Sequence, residues 1–163
     1  MRISRRSALA AVGALISPAL LAGQSKSAAK APAQTAGKAA AKTPALVYKT
    51  ATCGCCTKWV DHLKAAGFAP TVHTVQVMSD APISRRVPPA LRSCHTATLE
   101  GYLVEGHVPA DVIQKLLKEK PRVEGIAVPG MPAGSPGMES SRPESYDVVT
   151  FDANGKTTVF AKK

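Results

Sequence analysis

Three of the four cysteines in this chain fall within four residues, Cys53-Gly54-Cys55-Cys56, and the fourth, Cys94, stands next to His95. Thiols packed that tightly are hard to account for as apolar filling. Thiolate rather than thiol binds metal and attacks disulfides, and a helix N-terminus acidifies a thiol through its exposed N–H groups and dipole. The spacing admits three chemistries. Four is an even count, so two disulfides stapling a binding domain are one reading. Cys53 and Cys56 alone form a C-x-x-C pair, the spacing of a thiol–disulfide oxidoreductase. The third reading is a metal site, and Cys55 favours it, because a dithiol exchanger does not need a sulfur between its pair.

A centre made of Cys53, Cys55, Cys56 and Cys94, with His95 as auxiliary ligand, suits a soft or borderline ion. Zinc would accept Cys53, Cys56, Cys94 and His95 as a closed tetrahedron. Cu(I) prefers sulfur, thiolate and thioether alike, and bridging thiolates allow more than one copper per chain. Met131 and Met138 tilt the choice towards copper. They lie in Val128-Pro129-Gly130-Met131-Pro132-Ala133-Gly134-Ser135-Pro136-Gly137-Met138-Glu139, a loop of the long kind that is functional or disordered. Either methionine could instead cap the core. His107, in Gly106-His107-Val108-Pro109, could ligate or cap a strand-to-helix corner. His62 and His73 are expected to be surface or packed residues, and Trp59 to pack beneath the cysteines.

The elements that must position these residues follow from periodicity. Leu46-Val47-Tyr48 reads as a strand, after which Thr52 is placed to cap a helix running to about Ala66. Cys56, Trp59, Val60 and Leu63 make one apolar face at i, i+3, i+4 and i+7. Gly67 ends that helix and Pro70 forbids its continuation. Alternation over Thr71–Met78 predicts a second strand. Pro82, Pro88 and Pro89 leave room for at most one short helix before Ser93. Thr98–Glu105 reads as one strand closed by Gly106, and Pro109 opens a second helix whose buried stripe is Val112, Ile113, Leu116 and Leu117. Gly125–Pro143 carries four Gly and four Pro, too many for a regular element. Tyr146–Phe151 and Lys156–Phe160 form a hairpin around Asp152-Ala153-Asn154-Gly155. The order predicts an α/β fold: a thioredoxin-like sandwich, a small mixed sheet with packed helices, plus a C-terminal hairpin.

Charge and composition set the boundaries. The chain has 163 residues and a formal charge of +10. Residues 1–45 carry seven Lys/Arg and no acid, while residues 46–163 hold 14 Lys/Arg against all 11 Asp/Glu, a balance of +3. The basicity therefore belongs to the tail. No basic stripe with interleaved aromatics follows it, so no nucleic-acid partner is expected. Arg2, Arg5 and Arg6 precede the uncharged stretch Ala8–Ile16, which has signal-peptide length and is too short to span a bilayer. Ser4-Arg5-Arg6 also fits a twin-arginine signal. Leu20-Leu21-Ala22-Gly23 resembles a lipoprotein box, but Gln24 stands where the lipid-bearing Cys would be. The expected organisation is a signal peptide over 1–23, an Ala/Lys/Pro-rich disordered linker over 24–45, and one domain over 46–163. The mature form would have no transmembrane segment, and export would place the thiols in an oxidising compartment.

Taken together, Cys53-Gly54-Cys55-Cys56 with Trp59, Ser93-Cys94-His95-Thr96, Gly101-Tyr102…Glu105-Gly106-His107-Val108-Pro109 and the Pro129–Glu139 loop resemble the CopG-like family of exported copper-associated proteins, domain of unknown function 411. The resemblance spans roughly residues 46–160. It implies a thioredoxin-like fold, a periplasmic location and copper binding through the cysteines. It also implies a role in copper tolerance, including a change of copper oxidation state. The expected partners are copper ions and a periplasmic copper donor or acceptor protein. The long Ala/Lys linker is not covered by the family pattern.

Overall fold

The computed structural model describes residues 42–163. The expected signal peptide and residues 24–41 of the expected linker lie outside them. The chain runs β1 (Thr43–Thr50), α1 (Gly54–Ala65), β2 (Phe68–Val75), β3 (His95–Leu99), β4 (Tyr102–Glu105), α2 (Ala110–Glu119), β5 (Gly125–Ala127), β6 (Asp147–Phe151) and β7 (Thr157–Lys162). One sheet holds all seven strands in the order β2-β1-β3-β4-β5-β6-β7. β1 pairs in parallel with β2, and β4 with β5; the other pairs are antiparallel. The result is the expected α/β sandwich with a C-terminal hairpin.

Strand alternation divides the core between the two faces of the sheet. Ala45, Val47, Ala97, Leu99, Val104, Ile126 and Val148 meet Trp59, Val60 and Leu63 of α1 and Val112, Ile113 and Leu116 of α2. Both helices thus cover one face. On the other, Leu103, Ala127 and Phe151 pack against Val87 and Leu91. Those two come from the proline-broken segment, which holds three single 3₁₀ turns, Met78–Asp80, Ser84–Arg86 and Pro89–Leu91, rather than at most one short helix. Short turns suffice there because only Val87 and Leu91, with Ile83 beside them, have to be seated on the sheet, and Met78–Asp80 buries none of its residues.

Several boundaries differ from the sequence expectation for identifiable reasons. β1 begins at Thr43, three residues before Leu46, because Ala45 is already in the core. β2 begins at Phe68 and contains Pro70, which an edge strand tolerates. The single strand expected over Thr98–Glu105 is a hairpin, β3 and β4. Its turn is Glu100-Gly101, with φ of 47° and 91°, and left-handed geometry at both central residues is what a type I′ hairpin turn requires. β5 is a three-residue strand inside the Gly/Pro-rich stretch. Too short to show a period, it exists because β4 and β6 flank it. Among the described residues, no helix is long and apolar enough to cross a membrane.

His62 is a packed residue with a specific task. Pro109 precedes α2 and offers no side-chain cap, and His62 Nε2 accepts the Ala110 N–H at 3.0 Å instead. Burial lowers the His62 pKa below its ordinary value, against smaller raising effects from Asp111 and Glu139. The sign follows: as pH falls below about 6.5 the unfolded chain takes up this proton first, so the contribution to stability is full above that pH and is lost through the folded-state value. Thermal melts of metal-free protein should show Tm falling from pH 7.5 to pH 5. His62→Gln, which does not titrate, should flatten that slope.

Candidate metal centre

The cysteines gather where the end of β1, the start of α1 and the approach to β3 converge. Cys53, not Thr52, is the N-cap of α1, and its Sγ accepts the Cys56 N–H at 3.3 Å. The cap therefore aims sulfur at the unpaired N–H groups of the first turn. Cys53 and Cys56 are joined by a disulfide with Cα atoms 5.4 Å apart, and Cys55 and Cys94 are free. One disulfide is present rather than the two of the stapled reading. Cys55 Sγ lies 3.5 Å from Cys53 Sγ. The four Sγ atoms of Cys53, Cys55, Cys56 and Cys94 all lie within 4.8 Å of one another.

A second group shares Cys94. Its Sγ is 3.5 Å from His95 Nδ1, 3.6 Å from His107 Nε2 and 3.6 Å from Met131 Sδ. His107 Nδ1–H donates to the Pro136 carbonyl at 2.7 Å, which leaves Nε2 unprotonated and turned towards the thiol. His107 is thus both a corner residue and a member of the cluster. His95 is fully buried, its ring 4.3 Å from that of Trp59, and its Nε2 has no hydrogen-bond partner among the described residues. Met138 shares an open groove of about 550 Å³ with Met131 and Lys58, outside the ring of atoms around Cys94 Sγ.

The electrostatics favour neutral donors. Burial, then the neighbouring His107, pushes the His95 pKa down to about 3, and burial also lowers that of His107. Both imidazoles therefore keep lone pairs free at neutral pH. Burial, followed by the neighbouring Cys55, pushes the Cys94 thiol up to about 12. The acidification expected at a helix start does not extend to Cys94, which arrives from a different segment. Neutral imidazole and thioether, with a thiol that gives up its proton when it binds, form a donor set suited to a soft cation.

The Gly/Pro-rich loop closes the centre from outside. Gly137 has φ of +89°, and a Cβ there would sit 2.5 Å from the Cys55 carbonyl and 3.3 Å from His107 Nδ1. Gly137→Ala should push the loop off the start of α1, break the His107–Pro136 bond and displace Met131. The expected cost is about 1–3 kcal/mol of stability, read by chemical denaturation, together with weaker metal retention.

Sequence reasoning assigned no role to two buried charged residues near the centre. Lys49 is buried on β1, paired in register with His95. Its place two residues after Val47 on the inward side of the strand was the available signal. Glu105 is 1% exposed at the end of β4, and its period-2 phase with Leu103 was the available signal.

Comparison with known proteins adds three findings. A family model described as "Protein of unknown function, DUF411" matches residues 91–138. That span includes Cys94, His95, His107, Met131 and Met138 and stops short of the Cys53 run. Two solved structures, copper resistance protein CopG form 1 and form 2, are similar to the chain. Each is 45% identical, with a TM-score of 0.69, over 75% of this chain and 98% of the matched chain. No curated protein matches significantly.

Proposed function

This chain belongs to the CopG-like DUF411 family, and from that premise we propose that it is an exported protein that binds Cu(I) in the periplasm and serves copper homeostasis or resistance. Cys53, Cys55, Cys56 and Cys94 are the principal ligands, on a thioredoxin-like frame in which the N-cap and first turn of α1 present three of them. His95, His107 and Met131 complete the surround, and Met138 stands further out. The observation that carries this reading is Cys94, whose sulfur belongs both to the four-thiol group and to the thiol–imidazole group. Copper is the cargo, held for sequestration, transfer to an acceptor protein or redox cycling.

The closed Cys53–Cys56 bond divides the centre. All four thiolates become available only after two electrons reduce that disulfide, whereas Cys55, Cys94, the two imidazoles and Met131 are present in either state. Anaerobic Cu(I) titration with elemental analysis tests the assignment on reduced and disulfide-closed protein. Reduced protein should hold more copper per chain. Equal binding in both states, or unchanged binding in the Cys55→Ser/Cys94→Ser variant, would overturn it.

The disulfide itself favours a second reading, a periplasmic thiol–disulfide oxidoreductase that uses Cys53 and Cys56. An insulin-reduction assay separates the two. Activity that survives Cys55→Ser and strict metal removal would support the oxidoreductase.

A further inference from the structure

Glu105 lies on the sheet face opposite the helices, yet its carboxylate is directed entirely at the segment that bears Cys94. Oε1 accepts from the Ser93 N–H and, at 2.9 Å, from the Ser93 hydroxyl. Oε2 accepts from the Thr96 hydroxyl at 2.6 Å. Ser93 and Thr96 bracket Cys94-His95, and Thr96 is also the cross-strand partner of Glu105. Among the described residues no Lys or Arg forms an ion pair with this carboxylate. Behind it is a cavity of about 100 Å³ shared with Ser84 and Arg92. An unpaired buried carboxylate is costly unless its lone pairs are satisfied, and here three donors from two residues satisfy them.

The backbone around Glu105 reaches the rest of the centre. Its carbonyl accepts the Val128 N–H at 3.1 Å, where the methionine loop begins, and the Gly106 N–H donates to the His95 carbonyl at 3.2 Å. His107 follows directly. We propose that Glu105 is the positioning residue of the centre. Its planar carboxylate fixes Ser93 and Thr96, and so holds the Cys94 thiol at its distance from His107 and Met131. The role for metal affinity rests on the copper reading above; the role in holding the thiol does not.

The test therefore has two arms, both on the mature chain. In metal-free protein with Cys53–Cys56 closed, the rate at which iodoacetamide alkylates Cys94 is followed by mass spectrometry. In reduced protein, Cu(I) affinity is measured by competition with a chromophoric chelator. Glu105→Ala frees the segment, so Cys94 alkylation should accelerate about tenfold or more, and Cu(I) affinity should fall about 10–100-fold, the range for groups that orient metal ligands. Glu105→Gln keeps the planar fork. Its oxygen can still accept from Ser93, and its amide can donate to a turned Thr96 hydroxyl. It should stay within about threefold of the unaltered protein in both arms.

Ser93→Ala removes one of the three bonds, together with the hydroxyl's 3.2 Å contact to the His95 carbonyl, and should move both readouts in the same direction by less. It decides the matter if Glu105→Ala does not fold. Unchanged alkylation in folded Glu105→Ala, or in Ser93→Ala when that is the variant available, would overturn the proposal. So would a Gln variant that behaves like Ala, since charge rather than position would then be the operative property. If the unaltered protein takes up no Cu(I), the copper reading fails and the alkylation arm still decides the role of Glu105.

Discussion

Cys94→Ser should cut Cu(I) affinity by more than about a hundredfold, beyond the 10–100-fold typical of losing a group that merely orients a ligand. Cys94 is the one sulfur common to both donor groups, so its loss removes a ligand from each. Hydroxyl is a hard donor and does not replace thiolate for a soft ion. The fold should survive, because Cys94 is only partly buried and belongs to neither core cluster. Chelator competition against unaltered protein, with Tm measured in parallel, checks both halves. Cys55→Ser should have a smaller effect, since Cys55 belongs to the four-thiol group alone. Retention of high affinity in Cys94→Ser would place the copper elsewhere.

Trp59→Ala should be the most damaging single change to stability, costing about 3–5 kcal/mol as expected for truncating a large buried aromatic. Trp59 is fully buried among residues of both helices and the sheet. Its indole N–H also donates to the Val108 carbonyl at 2.8 Å, and its ring floors His95. Truncation would thus open a cavity and release two supports of the metal centre together. Trp59→Phe keeps most of the ring and loses the hydrogen bond, so its cost should be clearly smaller. Urea denaturation of the three proteins orders them. A Trp59→Ala variant as stable as Trp59→Phe would show that the cavity collapses and that packing here is not the main term.

Regular helices were legible in the linear chain because a buried stripe must repeat every three to four residues. Cys56, Trp59, Val60 and Leu63 foretold α1, and all four are buried. The C-terminal hairpin was legible for the matching reason, two short apolar runs around a Gly-containing turn. What failed were features decided by neighbours. The strand β5 depends on β4 and β6, partners more than 20 residues away in the chain, and the start of β1 depends on the pocket that receives Ala45; the turn at Glu100-Gly101 is local, and Gly101 was its available signal.

The same division runs through the four cysteines. Their number, their softness and the crowding of three at one helix start are properties of the sequence, and they suffice to pose metal binding, exchange and stapling as the alternatives. Sequence also supplied the family, through spaced motifs that the comparisons bear out. Only the tertiary structure places Cys94 beside His107 and Met131, residues 13 and 37 positions away in the chain. It also turns His95 inward against Trp59 and brings the Glu105 carboxylate across the β3–β4 pair to Ser93 and Thr96. The geometry of the candidate site is set by strand register and loop docking, and those depend on long-range packing that local residue patterns do not encode.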